Sequence, residues 1–318
     1  MVSEEFDVTN IEPGTVLLGK YRVLNTLGVG GMGAVVAAEH LQLGSKVAIK
    51  FLLPALTGNK SIVQRFVNEA KAATRIHSEH VARVVDVGTL TGEDFGSDGL
   101  PYMVMEHLEG KDLQVHVRSG KRFPVAEAVG YVAQAAEALA QAHKVNIIHR
   151  DIKPANLFLA EGDEGRLTVK VLDFGISKLL DEQPEEMGLT KTTTVLGSGL
   201  YMSPEQMRSA KTVDFRTDIY SLGVCLYELL TGTQPFTADS FSELCVKVNI
   251  DPPTPIQKWR PDISDDLAAI IAKAYARSPA DRYQTVQEMV LALMPYAGQH
   301  ISSLHQVQGI TAAEGLRH

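Results

Sequence analysis

Cysteine is almost missing from this chain of 318 residues, where only Cys225 and Cys245 occur. Both lie in apolar stretches of helical pattern, which excludes a disulfide framework and reads as buried thiols in a reducing compartment. An excess of positive charge is missing as well. Thirty Lys and Arg stand against 38 Asp and Glu, for a formal charge of −8. A groove for nucleic acid needs a basic field to attract phosphates, so nucleic acid is excluded as the main partner. No long apolar run is present. The most apolar long stretch, residues 219–230, is broken by Glu228 and is too short to span a bilayer. The amino-terminal end carries Glu4, Glu5 and Asp7 without an apolar run, so no secretory leader is expected. No membrane association within this chain and a cytoplasmic location are the corresponding expectations. What the chain does have is length and 45% hydrophobic residues, enough to bury a large core and to form two lobes.

The most informative stretch is 147–175, I-I-H-R-D-I-K-P-A-N-L-F-L-A-E-G-D-E-G-R-L-T-V-K-V-L-D-F-G. Residues 157–159 and 167–172 are β-rich and separated by a polar turn at 161–165, so the spacing predicts a hairpin. That hairpin returns Asp173 to the neighbourhood of Asn156 and Asp151. Asp151 can accept a proton from an attacking hydroxyl. Lys153 can neutralise charge on a moving phosphoryl group, and Asn156 with Asp173 offers hard oxygen ligands for magnesium.

Upstream, residues 21–27 and 34–38 alternate apolar and polar, with the glycine run 28–33 between them, which predicts strand, turn, strand. Gly28, Gly30 and Gly33 satisfy G-x-G-x-x-G. The β-branched Val35 and Val36 that follow favour a second strand over the helix of a dinucleotide-binding unit. Val47-Ala48-Ile49-Lys50 forms a third strand. A helix over 60–76 carries Ile62, Val63, Phe66, Val67 and Ala70 at helical spacing, with Glu69 able to lie towards the strand. Residues 81–87 and 102–105 read as further strands. An amphipathic helix is expected at 124–143, a hydrophobic helix from Asp218 onward, and helical patterns follow at 241–248, 265–276 and 285–294.

The ordered set H-R-D-x-K-x-x-N, D-F-G, a glycine hairpin and V-A-I-K resembles the protein-kinase family, serine/threonine type. The runs G-G-M-G and S-P-E-Q look most like its bacterial, eukaryotic-like (Hanks-type) branch. The resemblance implies an α+β, two-lobed fold, with a small antiparallel β-sheet lobe holding one helix and a larger, mostly helical lobe. It places a flexible lead-in at 1–14, the smaller lobe at 15–107, the larger at 108–296 and a tail at 297–318. The implied reaction moves the γ-phosphoryl of Mg-ATP to Ser or Thr hydroxyls of proteins. Lys50, paired with Glu69, would hold the α- and β-phosphates.

Residues 27–33, that is Leu27, Gly28, Val29, Gly30, Gly31, Met32 and Gly33, would cover the nucleotide. Val35 and Ala48 would help bind the nucleotide, and Phe158 would be a core or adenine-floor residue. Met105 would be the gatekeeper, and the backbone of Glu106 and Leu108 would meet the adenine edge. Asp112 would bind the ribose or cap the helix that follows it, where a carboxylate is favoured by the helix dipole. Lys50, Asp151 and Asp173 would face a common cleft.

The long segment between Asp173 and Glu205 matches an activation loop. Autophosphorylation there is expected at Thr190, Thr192 or Thr194, with Arg150 as the cationic partner and a homodimer as one route to phosphorylation in trans. Ser203-Pro204-Glu205 replaces the commoner A-P-E, with Arg282 as the family's partner for Glu205. Gly197-Ser198 stands where Gly-Thr is usual, and a Ser hydroxyl can still bridge Asp151 and Lys153. Asp218 is expected to hold the backbone of the catalytic loop. Two rival readings are a catalytically silent kinase-like scaffold and a small-molecule phosphotransferase on the same fold. The full catalytic set speaks against the first, and the long segment ending in Ser-Pro-Glu against the second.

Overall fold

The computed structural model describes residues 7–91, 99–162, 165–174, 197–209 and 213–298. They form two compact units. One takes the described residues through Arg75 together with Ala82–Glu109. The other takes Ile76–Val81 and the described residues from Gly110 onward.

The first unit is built on a six-stranded antiparallel sheet: β1 (Val16–Leu17), β2 (Tyr21–Val29), β3 (Gly33–His40), β4 (Lys46–Leu52), β5 (Val84–Leu90) and β6 (Leu100–Glu106). Their spatial order is β1-β2-β3-β4-β6-β5. Strand alternation divides β4 between two faces. Val47, Ile49 and Phe51 join Tyr21, Val36, Tyr102 and Val104 in one buried cluster. Leu52, on the opposite face, packs with Met103 against Ile62, Phe66 and Ala70 of α2 (Lys60–Ala73). The short helix α1 (Pro54–Thr57) precedes α2. Asn59 starts α2 by accepting hydrogen bonds from the amides of Ser61 and Ile62.

Val8 and Ile11 differ from the sequence expectation of a flexible lead-in, because both are buried in the first cluster. Two isolated apolar residues carry no period, and the neighbouring acids and Pro13-Gly14 hide them from pattern reading. The helix α2 also stops earlier than its apolar spacing suggests, because Ile76–Val81 finds its partners in the second unit. Val171 donates its amide to the His80 carbonyl at 2.7 Å, and Val81 bridges Val171 in parallel. The His80 ring lies 3.3 Å from the buried Glu137 carboxylate and 3.0 Å from the Val169 carbonyl.

In the second unit, β7 (Gly110–Asp112), β8 (Leu157–Glu161) and β9 (Leu167–Val171) form a three-stranded sheet in that order. The β8–β9 pair is the antiparallel hairpin read from the sequence, with Leu157 opposite Val171. The described helices are α3 (Leu113–Arg118), α4 (Val125–Lys144), α5 (Pro204–Arg208), α6 (Arg216–Thr231), α7 (Phe241–Ile250), α8 (Asp265–Ala274) and α9 (Val286–Leu293). α6 is the centre: every residue from Thr217 to Thr231 is buried, so it has no water-facing side, as expected of a helix enclosed by others. It packs on α4 and α8 and stops at Gly232, whose φ of 80° is the left-handed cap that a glycine adopts without strain. Ser203, Ser240, Ser264 and Thr285 each cap a following helix by accepting a backbone amide.

Among the described residues no helix is long and apolar enough to cross a membrane.

Candidate functional site

In the first unit, β2 and β3 form a hairpin whose turn holds the glycine run. Val29 lies opposite Ala34, and the amide of Gly30 donates to the Gly33 carbonyl at 2.8 Å. Leu27, Val29 and Met32 are exposed on this hairpin. The glycines differ in what they tolerate. A Cβ on Gly28 or Gly31 would meet open space, whereas one on Gly33 would run into the backbone carbonyl of Phe51. Gly33 is therefore required by the close approach of β3 to β4.

Cross-strand partners share a face. Val35 stands opposite Lys50, and Lys50 opposite Met103. Ala48 stands opposite Ala37 on one side and Met105 on the other. Val35, Ala48, Lys50 and Met105 thus line the same face of the sheet, and Met105 packs against the α2 cluster. From that face the Lys50 amine reaches Glu69 of α2 at 2.9 Å, with both side chains largely withdrawn from water. This ion pair joins strand to helix. Leu108 lies just beyond β6 and is half-buried.

In the second unit, the loop 147–156 is hung from α6. The Asp218 carboxylate, with no exposed side-chain surface, accepts the amides of His149 at 2.9 Å and Arg150 at 2.8 Å and lies 2.8 Å from His143 Nε2. Burial pushes the Asp218 carboxyl up, but the hydrogen bond and charge of His143, the charge of His149 and the Arg150 amide outweigh it and leave the group below its usual value. Burial also holds the His149 imidazole below its usual value, against the pull of Asp218 and the Leu172 carbonyl. The neutral ring then has one tautomer that fits its neighbours. Nε2–H donates to the Leu172 carbonyl at 2.9 Å, and Nδ1 accepts the Asp151 amide at 3.2 Å. Phe174 covers the same ring, centroids 4.8 Å apart.

Asp151 emerges from this frame with its carboxylate engaged on one side. Lys153 Nζ donates to Asp151 Oδ2 at 2.9 Å and to Ser198 Oγ at 3.1 Å. The Asn156 amide nitrogen donates to the Asp151 carbonyl at 2.8 Å and to Oδ2 at 3.2 Å. Leu172 donates its amide to the Asn156 carbonyl at 2.9 Å, which brings Asp173 alongside Asn156. Arg150 and Asp173 both sit at positive φ, 64° and 49°, conformations that non-glycine residues hold only where the surroundings enforce them. Phe158 on β8 is half-buried opposite Asp112 of β7. The Asp112 carboxylate accepts the Val115 amide at 2.9 Å, so it caps α3.

The amide nitrogen of Asn156 is committed to Asp151, and its oxygen is therefore the atom able to meet a cation. Among the described residues no three His, Cys, Asp or Glu are gathered to hold a metal. One amide oxygen and the Asp173 carboxylate suit magnesium instead, which keeps waters and substrate phosphates in most of its positions.

Two further features bear on the neighbouring segment. Arg150 is buried, yet among the described residues Nε and Nη1 of its guanidinium have no hydrogen-bond partner, an expensive arrangement for a permanent cation. Thr190, Thr192 and Thr194 lie outside the described residues. At the far end of the segment, Glu205 meets Arg282 through two hydrogen bonds of 2.7 and 2.8 Å, and Arg282 lies across the Tyr220 ring at 4.9 Å.

Sequence reading missed several supports. His143 at the Asp218 carboxylate is one. Gln206, whose side chain donates to the Arg150 carbonyl at 2.7 Å, is another. The buried group around Glu228, reached by Tyr201 at 2.6 Å and Gln234 at 2.8 Å, is a third. All bridge distant segments, and no local spacing announces them.

A family model described as a protein kinase domain matches residues 21–292. A probable serine/threonine-protein kinase of Clostridium perfringens is 39% identical over 277 residues, covering 87% of this chain and 38% of that protein. Serine/threonine-protein kinase Pkn1 of Myxococcus xanthus is 37% identical over 286 residues, covering 90% of this chain and 39% of that protein. The crystal structure of the Mycobacterium tuberculosis PknI kinase domain matches with a TM-score of 0.67 at 28% identity, over 91% of this chain and 100% of that one. The chain thus spans about two fifths of the length of the curated relatives it matches. An antiparallel sheet unit, a helical unit and these matches agree with the fold expected from the motifs, and the chain belongs to the protein kinase family, with bacterial serine/threonine-protein kinases as its relatives.

Proposed function

We propose that this chain is a protein-serine/threonine kinase that transfers the γ-phosphoryl group of Mg-ATP to hydroxyls of protein substrates. The observation that carries the reading is the contact of Asp151, Lys153, Asn156 and Ser198, held from below by the buried Asp218. Asp151 orients the substrate hydroxyl and takes its proton as the oxygen–phosphorus bond forms and the bond to the ADP oxygen breaks. Lys153 offsets the charge on the moving group, and Ser198 fixes the Lys153 amine. Lys50, braced by Glu69, orients the α- and β-phosphates. Asn156 and Asp173 would hold magnesium, which would offset the charge on the phosphate groups.

In this reading the base lies against Val35, Ala48, Met105 and Phe158 and meets the backbone of Glu106 and Leu108. Residues 27–33 cover the phosphates, and Asp112 adds a ribose contact to its capping bond. The Arg150 nitrogens that have no partner among the described residues supply the cation that a phosphothreonine at 190, 192 or 194 requires, so phosphorylation of that segment switches the enzyme on. A transient homodimer provides the phosphorylation in trans. The unpaired Cys225 and Cys245 suit a cytoplasmic location.

The test is incubation of the purified chain with Mg-ATP, followed by intact-mass and peptide mapping, alone and with a generic basic protein. Phosphate on Thr190, Thr192 or Thr194 and on the added protein, absent with Lys50→Met, is the expected result. Nucleotide binding without any transfer would favour a silent scaffold.

A further inference from the structure

The backbone at Arg150 is held from two sides by different elements. Asp218 of α6 accepts the Arg150 amide at 2.8 Å, and φ at this residue is 64°. The freedom that remains is ψ, which turns the next peptide unit and the Asp151 side chain with it. That unit, from the Arg150 carbonyl to the Asp151 amide, is planar and turns as one body. Its two ends are held separately. The Asp151 amide donates to His149 Nδ1 at 3.2 Å, while the Arg150 carbonyl accepts Nε2 of Gln206 at the shorter distance of 2.7 Å.

Gln206 belongs to α5, the helix that Ser203-Pro204-Glu205 opens. A carbonyl can only accept, so Gln206 turns its nitrogen to Arg150 and its oxygen the other way. Thr217 of α6 donates its hydroxyl to that oxygen at 3.1 Å. Thr217 Oγ1 also lies 2.7 Å from Ser203 Oγ, which accepts the Gln206 amide at 3.3 Å. Ser203, Gln206 and Thr217 are all buried. Such a network fixes its members because a misplaced polar group there has no water to turn to.

We infer that Gln206 is a positioning residue for phosphoryl transfer: by holding the Arg150 carbonyl it sets the plane of the Arg150–Asp151 peptide, and it does so only while Ser203–Glu205 is seated against α6. Gln206 meets no reacting atom and acts through Asp151. This role rests on the reading that Asp151 takes the proton of the substrate hydroxyl. Without the Gln206 donor, the 3.2 Å bond to His149 is left to hold that peptide, and the Asp151 carboxylate loses its aim. The seating of the segment's end and the readiness of the base are then one event.

The experiment measures single-turnover transfer from Mg-ATP to a basic protein, together with the stoichiometry and Kd of Mg-ADP by titration calorimetry. Gln206→Met keeps the length of the side chain and removes its donor. Its transfer should be slower by about ten- to hundredfold, with Mg-ADP stoichiometry and the KM for the basic protein held. A merely structural role would instead lower the stoichiometry in step with the rate. Should Gln206→Met not fold, Thr217→Val and Thr217→Ser serve. Valine takes the hydrogen bond from the Gln206 oxygen and should slow transfer by about two- to tenfold, and serine restores the hydroxyl and the rate. Full-rate transfer by Gln206→Met, a loss of rate matched by a loss of binding sites, or a serine variant as slow as valine overturns the inference. If Asp151→Asn is slow in the same assay while Gln206→Met is not, the inference fails alone; if Asp151→Asn transfers at the unaltered rate, the base reading fails and takes the inference with it.

Discussion

Replacing Asp218 with alanine removes a carboxylate that sits wholly inside the second unit and receives the amides of His149 and Arg150 at 2.9 and 2.8 Å. Each orphaned buried amide costs about 1–3 kcal/mol, so the two together place the loss at about 2–6 kcal/mol. The functional loss should exceed what unfolding explains. Arg150 is held at a φ of 64°, a conformation that costs of order 1–3 kcal/mol and persists only while its neighbours enforce it. Asp218 is the group that enforces it from below. Once released, Arg150 relaxes and the Asp151 carboxylate one residue on loses its aim, so kcat falls by two orders of magnitude or more even at a temperature where the variant is folded. Asp218→Asn keeps one acceptor oxygen, satisfies one of the two amides and falls between. The assay pairs urea denaturation with steady-state kinetics well below the melting transition. An alanine variant within about 1 kcal/mol of the unaltered chain, with kcat preserved, would refute the reasoning, since two buried amides cannot lose their acceptor so cheaply.

Ile11→Ala should lower stability by about 2–4 kcal/mol in chemical denaturation, because Ile11 fills the sheet unit's core from outside the sheet itself; an exposed lead-in would show no change. Glu205→Ala leaves the buried Arg282 guanidinium without its carboxylate and should cost about 3–5 kcal/mol in the same assay, whereas an exposed pair would cost under about 1. Gly33→Ala should depress the melting temperature strongly, while Gly28→Ala should leave it nearly unchanged, because only the first meets backbone. Burial holds the His149 imidazole below its usual value, so the unfolded chain binds that proton more readily than the folded one. The stability from His149 is therefore complete above about pH 6.5 and is lost as pH falls. The urea midpoint should drop from pH 7.5 to pH 5 and drop less in His149→Gln; a midpoint that rises on acidification contradicts this sign.

How much of this was legible in the sequence depends on how far apart the cooperating residues lie. Asp151, Lys153 and Asn156 sit within six positions, and a hairpin predicted from two β-rich stretches around a polar turn returns Asp173 beside them. Their meeting needs little more than local geometry. Lys50 and Glu69 require a strand followed by a helix with one face buried, and apolar spacing supplies that. Asp218 is identifiable as a scaffold only through resemblance, since no spacing rule links it to His149 some seventy residues earlier. His143 and Gln206 were beyond reach for the same reason. Gln206 satisfies the Arg150 carbonyl and His143 meets the Asp218 carboxylate, and both meetings are products of the whole fold. Val8 and Ile11 escaped because two apolar residues among acids have no period to detect.

Phosphoryl transfer depends most on the base role of Asp151, and Asp151→Asn tests it directly. Nucleotide affinity is measured by titration calorimetry with Mg-ATP, and phosphoryl transfer by single-turnover kinetics on a basic protein substrate. The account predicts ATP affinity within a few fold of the unaltered chain and transfer slower by at least about a thousandfold. Transfer within tenfold of the unaltered rate would show that another group takes the proton, and would contradict the chemistry assigned to Asp151.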